Sequence, residues 1–344
     1  MCGIFGIIAK NSSPLELIHS RVNKGINLIR HRGPDGSGSW VSENGKVGLG
    51  HVRLSIIDLE SGDQPMHSDD GRYTIIHNGE IYNYIELREE LGKEQFWTAS
   101  DTEVILRAYQ RWGEDCVSRL RGMFAFAIWD ASKEILFLAR DRFGIKPLYW
   151  TFTSSGFYFA SEAKALLPFL DQRNVNSEAL SNYFTFQFCL GDKTLMDGVH
   201  QIPAAHYATL SYDQKPRPRQ YWEVHFEIDY DHTEKWFYER VKELVSDSVR
   251  VHLRADVELG SHVSGGLDSS ILAAIAREQR PNDRFQAFNG RFTDGQNFDE
   301  SNYAKELADD RDMQLHVVDI TEQDFVDHIE KVIWFLDQPT AGPG

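Results

Sequence analysis

The sequence predicts a layered α+β domain followed by the opening of an α/β unit, and three observations carry that reading. Residues 2–165 hold many short β-type segments and few helical ones. From Thr233 onward β and α segments alternate, as a parallel sheet with crossover helices requires. Between about 168 and 230 the chain is polar and irregular, broken by Pro203, Pro216 and Pro218, which marks a linker. The expected division is 2–165 for the first domain, 166–232 for its end and the linker, and 233–344 for the second domain.

Taken in order, residues 2–9 are short and almost wholly apolar, the pattern of a strand covered on both faces. Leu15 to Ile29 has the apolar spacing of a helix. β-type segments follow at Val47–Ile57, Tyr73–His77, Met123–Trp129, Ile135–Arg140 and Phe157–Ser161. Gly33-Pro34, Asn44-Gly45, Asn78-Gly79 and Ser155-Gly156 punctuate them as turns. Helices fit Tyr84–Leu91 and Asp101–Trp112. Many strands with few helices suggest a sheet-on-sheet core covered by helices. In the second part Phe237, Val241, Leu244, Val245 and Val249 recur at helical steps, and Ser264 to Ser270 opens another helix. A strand fits Phe285–Phe292, a helix Asp299–Ala308 and a further strand Gln314–Asp319.

At 344 residues there is room for two domains with their own cores, and 41% hydrophobic with 26% charged residues is a globular balance. The net charge of −16, with no basic run or basic helix face to offset it, argues against nucleic acid as a partner. Cys2, Cys116 and Cys189 are too few for a disulfide framework and suit a reducing compartment, the cytoplasm. No stretch approaches the roughly 20 apolar residues that cross a bilayer, and the start lacks a basic leader, so no membrane partner is expected. None of the 13 histidines or three cysteines has zinc-ligand spacing.

A small residue in the position of Cys2 normally allows removal of Met1, leaving Cys2 with a free α-amino group close to its own sulfur. Such an amine, with a reference pKa of roughly 7.7–8.0, is partly unprotonated near neutral pH. It can take the thiol proton and return it to departing ammonia. A cysteine beside the start is by itself a chance neighbour, so other motifs decide. They are His31-Arg32-Gly33-Pro34-Asp35-Gly36, His51-Val52-Arg53-Leu54-Ser55-Ile56-Ile57-Asp58, Asn78-Gly79-Glu80-Ile81-Tyr82-Asn83 and Ser100-Asp101-Thr102-Glu103. Gly122 to Ala127 and Arg140 to Tyr149 complete the series. In this order they resemble the motifs of the class II glutamine amidotransferases, an N-terminal-nucleophile family, over essentially all of residues 2–165.

That resemblance implies a four-layer αββα N-terminal-nucleophile hydrolase domain with Cys2 as the nucleophile. It implies that Arg53 grips the glutamine α-carboxylate and Asp101 its α-ammonium group. It gives the Asn78 side-chain amide and the Gly79 backbone N–H as the oxyanion hole, with Glu80 touching the substrate from the same loop. The residue types suit these roles, since guanidinium pairs bidentately with carboxylate and a carboxylate accepts from an ammonium. Standing alone, Arg53 reads as a surface residue, Asp101 as a helix N-cap and Asn78-Gly79 as a hairpin turn. His51 reads as a packed structural histidine, because an N-terminal nucleophile needs no imidazole.

Ser264-Gly265-Gly266-Leu267-Asp268-Ser269-Ser270 is similar to the pyrophosphate-binding loop of the ATP-pyrophosphatase superfamily, the adenine nucleotide alpha hydrolase-like fold. Its glycines let backbone N–H groups face an anion, its serines donate to phosphate oxygens, and the next helix presents its positive end. The resemblance implies a partial α/β domain of that type. It implies ATP contacts at Val263, Ser264, Gly265, Gly266, Asp268, Ser269 and Gly290, and Mg²⁺ at Asp268. Phe285 to Phe292 and Phe298 to Ala304 resemble the next strand and helix entry. Alone they are a strand and a capped helix.

An amidotransferase domain before this loop is the order of the glutamine-hydrolysing asparagine synthetases. The family implies glutamine, aspartate and ATP as substrates, ATP and Mg²⁺ as cofactors, and a homodimer. Aspartate would attack the ATP α-phosphate, and ammonia released at Cys2 would displace AMP. In that family the synthetase domain continues well beyond the point equivalent to Gly344, so this sequence is expected to be a truncated product or piece with an incomplete ligase half. Two alternatives stay open: a paralogue that amidates another carboxylate, and a chain retaining glutaminase activity alone.

Overall fold

The computed structural model describes residues 2–282, 284–293 and 299–339, so Met1, Phe298 and residues 340–344 lie outside the described residues. The chain forms two compact units, Met1–His225 with Asp337–Gly344, and Phe226–Leu336.

The first unit runs β1 (Gly3–Ala9), α1 (Leu15–Leu28), β2 (Gly36–Val41), β3 (Val47–Arg53), β4 (Met66–His67), β5 (Tyr73–Ile81), α2 (Tyr84–Leu91), α3 (Asp101–Trp112) and α4 (Cys116–Arg119). It continues β6 (Gly122–Asp130), β7 (Ile135–Arg140), β8 (Tyr149–Thr153), β9 (Gly156–Ala160), α5 (Ser177–Phe186), β10 (Val199–Gln201), β11 (His206–Leu210) and β12 (Arg219–Gln220). Two six-stranded sheets result, ordered β10-β8-β9-β1-β3-β2 and β12-β11-β7-β6-β5-β4.

Strand alternation dictates the layers. In β1, Ile4 and Ile8 join an inner core with Ala125, Ala127 and Trp129 of β6. The intervening Phe5 and Ile7 point outward and pack on Ile18, Val22 and Ile26 of α1. In β6 the outward Phe124, Phe126 and Ile128 meet Val104, Ile105 and Ala108 of α3. With side chains alternating across each strand, both faces of both sheets are buried. The order is helix, sheet, sheet, helix, as expected.

Three features differ from the sequence reading. The strand beginning at Val47 stops at Arg53, and Leu54, Ile56 and Ile57 leave it to line a pocket. Asn78-Gly79 is no turn: β5 runs through it to Ile81, with Gly79 opposite Phe124. The stretch read as a linker holds α5 and three sheet strands, β10 paired with β8, β11 with β7 and β12 with β11. These strands are short and their partners distant, so local composition hides them; Pro203, Pro216 and Pro218 sit between strands, where no ladder donor is required.

The second unit runs α6 (Glu234–His252), β13 (Gly260–His262), α7 (Leu267–Gln279), β14 (Gln286–Phe292), α8 (Ser301–Asp310), β15 (Gln314–Ile320) and α9 (Glu322–Leu336). Its strands are parallel, in the order β13-β14-β15. Val249 of α6, Ala273 and Ala276 of α7, and Ala304 and Ala308 of α8 pack on Ala287 of β14. Among the described residues no helix is long and apolar enough to cross a membrane.

Candidate active site

Pairing of Gly3 with Val52 sets Cys2 beside the end of β3. There Sγ accepts from the Leu54 N–H at 3.4 Å and donates to the Leu54 carbonyl at 3.5 Å. Burial pushes the thiol up from its ordinary value, and the Leu54 N–H pulls it back. Cys2 lines a small pocket. Arg53, Gly79, Glu80 and Asp101 stand on the same wall, with Leu54, Gln64, His77 and Ser100. Five residues singled out from the sequence therefore meet at one cavity.

Each is placed by its element. Ser100 caps α3, its Oγ accepting from the Thr102 N–H at 3.1 Å, which leaves Asp101 free to face the pocket rather than cap the helix. Asp101 Oδ2 accepts from the Ile81 N–H at 2.8 Å. Glu80 stands beside it near the end of β5, with Oε2 buried and without a hydrogen-bond partner among the described residues. Burial pushes both carboxyls up, Glu80 well above the ordinary carboxylate range, and the Asp101 charge adds to that shift. A pair of adjacent acids in a dry wall is a receptor for a cation.

Arg53 supplies the opposite charge, and it is 7% exposed. Its Nη1 donates to Asp63 Oδ1 at 3.0 Å and to the Leu59 carbonyl at 3.4 Å, while Nη2 donates to the Asp58 carbonyl. Asp63 is largely solvent-exposed, so a carboxylate in the pocket competes with it at little cost.

Gly79 is required by close approach. A Cβ there would lie 2.1 Å from the Met123 carbonyl and 2.7 Å from Phe124 Cα. Asn78 is not on the pocket wall. Its side chain shares the inner face of β5 with Ile76, where Nδ2 reaches Ser161 Oγ at 3.4 Å and Oδ1 has no partner among the described residues.

His51 also stays off the wall. It is fully buried, its Nε2 3.0 Å from the His77 carbonyl, and burial holds its imidazole neutral by pushing it down to about 3. Two wall residues escaped the sequence reading. Gln64 accepts from the His77 N–H at 2.6 Å and donates to Thr102 Oγ1 at 3.1 Å, and no pattern in its loop marks it. His77, buried and pushed down to about 3, stands two residues before Gly79, so strand alternation alone would have faced it to the pocket.

In the second unit Ser264, Gly265 and Gly266 link β13 to α7, with Asp268 exposed in the first turn of that helix. Ser269 Oγ lies 3.0 Å from Ser264 Oγ and accepts from the Ser264 N–H at 3.2 Å, closing the loop on itself. Gly265 has φ +102°, and a Cβ would lie 2.3 Å from the Glu300 carbonyl. Val263 is buried and donates to the Phe288 carbonyl at 2.8 Å, and Gly290 lies two residues further along β14. Asn289, which the sequence reading passed over, donates to the Val263 carbonyl at 2.8 Å and the Ser264 carbonyl at 3.3 Å. Among the described residues no group of three or more His, Cys, Asp or Glu side chains is placed to hold a metal.

A family model described as a glutamine amidotransferase domain matches residues 1–222, and one described as asparagine synthase matches residues 240–344. The chain is 40% identical to "Asparagine synthetase (glutamine-hydrolyzing) 1" of Bacillus subtilis, over 100% of this chain and 54% of that protein. It is 37% identical to "Putative asparagine synthetase (glutamine-hydrolyzing) 2" of Methanocaldococcus jannaschii, over 98% of this chain and 68% of that protein. It is 32% identical to "Amidase chry2" of Gibberella zeae, over 98% of this chain and 54% of that protein. The chain thus spans about half the length of the first and third of these relatives.

Proposed function

Because the chain belongs to the family of glutamine-hydrolysing asparagine synthetases, we propose that its first unit hydrolyses glutamine at Cys2 and that its second unit contributes to making asparagine from aspartate and ATP. The carrying observation is one pocket lined by a thiol, a guanidinium and two carboxyls, Cys2, Arg53, Glu80 and Asp101. A free amino acid needs that set: an anion receptor, a cation receptor and a nucleophile.

The chemistry follows from those positions. With Met1 removed, the α-amine of Cys2 takes the thiol proton and Sγ attacks the side-chain amide carbon of glutamine. The oxyanion is met by the Gly79 N–H on the pocket wall, and the Asn78 amide would join it only by turning from the inner face of β5 and leaving its long bond to Ser161; losing one such donor typically costs ~2.7–4 kcal/mol. The amine returns its proton to departing ammonia, leaving a thioester. Water then attacks the thioester carbonyl, and glutamate leaves as the thiol regains its proton.

At the second unit, the N–H groups and hydroxyls of Ser264, Gly265, Gly266 and Ser269 would hold ATP phosphates at the start of α7, with Val263 and Gly290 on the adenine side. Asp268 would hold Mg²⁺, since one exposed carboxylate with phosphate oxygens and waters suits that ion, which neutralises phosphate charge when bound. Three unpaired cysteines support a cytoplasmic setting, and the family supports a homodimer.

The test is glutamate release from glutamine by the purified chain, with Cys2→Ala reducing it to background. Equal rates for the two proteins would end the glutaminase reading. The relative named as an amidase favours a second reading, an acceptor other than aspartate. Aspartate-dependent pyrophosphate release by the chain extended to the relatives' length separates the two.

A further inference from the structure

A buried chain of charges leads away from Cys2. Arg32 Nε donates to the Cys2 carbonyl at 2.8 Å, and Arg32 Nη1 donates to Glu162 Oε1 at 2.8 Å. The other oxygen of Glu162 accepts from Lys164 Nζ, which in turn lies 2.9 Å from Asp337 Oδ1. Asp337 also accepts from the backbone N–H of Ala163 at 2.6 Å and of Lys164 at 3.3 Å. The side chains of Arg32, Glu162, Lys164 and Asp337 are 8%, 4%, 2% and 6% exposed. His31 closes the outer side, its Nε2 3.0 Å from Glu162 Oε1.

The arrangement is built rather than incidental. Asp337 has φ +61°, a region uncommon outside glycine, and the bonds on its carboxylate hold it there. Within this buried set two cations face two anions. Without Asp337 the set carries one positive charge too many, and Glu162, shared by Arg32 and Lys164, is drawn toward Lys164. The grip of Arg32 on the Cys2 carbonyl then loosens.

We propose that Asp337 is a positioning residue of the glutaminase site, acting through Lys164, Glu162 and Arg32 to fix the backbone of Cys2. The proposal rests on the glutaminase reading. It adds a residue 173 positions from its partner Lys164, in a part of the sequence that the amidotransferase motifs do not reach. Arg53, Glu80 and Asp101 lie outside this set, so loss of Asp337 acts on the geometry of attack by Cys2 and not on the grip on glutamine.

Glutamine hydrolysis by the full chain tests this. Asp337→Asn is expected to lower kcat roughly 10- to 100-fold while KM for glutamine stays within about twofold. Alkylation of Cys2 by iodoacetamide should slow in the same variant. Lys164→Gln combined with Asp337→Asn restores the charge balance and should regain at least about threefold in kcat over Asp337→Asn alone. Circular dichroism checks folding; if Asp337→Asn does not fold, the double variant carries the test, and turnover within about tenfold of the wild type supports the proposal. Wild-type kcat in Asp337→Asn, or a loss that the double variant does not relieve, overturns it. An inactive wild type with unreactive Cys2 removes the glutaminase reading and this proposal together, whereas an active wild type matched by Asp337→Asn removes the proposal alone.

Discussion

Glu80 and Asp101 face the same small space, and both titrate above their ordinary range because burial disfavours the charge. The pair therefore holds a proton near neutral pH, which an arriving ammonium group displaces. Glutamine binding should release protons, seen as a binding enthalpy that changes with the ionisation enthalpy of the buffer; identical enthalpies in phosphate and Tris would contradict this. The linkage has a definite sign. Because the folded-state values are raised, this pair's contribution to stability is complete below the unfolded carboxylate range and is lost as pH climbs through the folded values. Glu80→Gln should thus stabilise the ligand-free chain at pH 7.5 by about 1 kcal/mol, a rise of about 2–4 °C in melting temperature. The same change should raise KM for glutamine at least about tenfold. Residues of this kind were legible only through the motifs that hold them, since Asp101 taken alone reads as a helix N-cap. Gln64, Asn289 and Asp337 were not, because each acts by holding backbone or a buried charge, a task that any loop position can acquire once the fold is made.

β5 and β6 show how an element forms the site. Nine paired positions, Tyr73–Ile81 against Gly122–Asp130, carry Gly79 and Glu80 to the pocket, while Phe124 and Phe126 lock the outer face against α3. Phe126→Ala should cost about 3–5 kcal/mol in urea unfolding of the first unit, since Phe126 is fully buried and the rigid sheet cannot collapse around the gap. In the second unit Asn289→Ala removes two bonds to the carbonyls before the Ser264 loop, and a loss of about 1–3 kcal/mol is expected from the same measurement. Periodicity alone gave α2 and α3 their ends, Tyr84–Leu91 and Asp101–Trp112, because each has one apolar face and turn residues beside it. Asn78-Gly79 misled, since a dipeptide suited to a turn is equally suited to a strand where backbones come within contact distance. β10 and β11 left no trace because three and five residues are too few for an alternation to stand out.

The two units differ in how much apolar surface they bury. The first holds Trp129, Tyr158 and six fully buried phenylalanines among its largest enclosed side chains. The described core of the second consists of nine buried residues, five of them alanine, and α9 buries none of its side chains. Hydrophobic stabilisation scales with area at about 25 cal/mol per Å². Urea should therefore unfold the second unit first. Six tryptophans, Trp40, Trp97, Trp112, Trp129, Trp150 and Trp222, lie in the first unit, so fluorescence should lag behind the loss of helical circular dichroism; coincident curves would mean one cooperative transition. The fourfold charge set beneath Cys2 also has a consequence for biosynthesis. The ribosome makes Lys164 173 residues before Asp337, an interval of about 9–35 s at about 5–20 residues per second. A nascent chain would spend that interval with its thiol poorly aligned, so glutamine hydrolysis would wait on residues made long after the amidotransferase motifs.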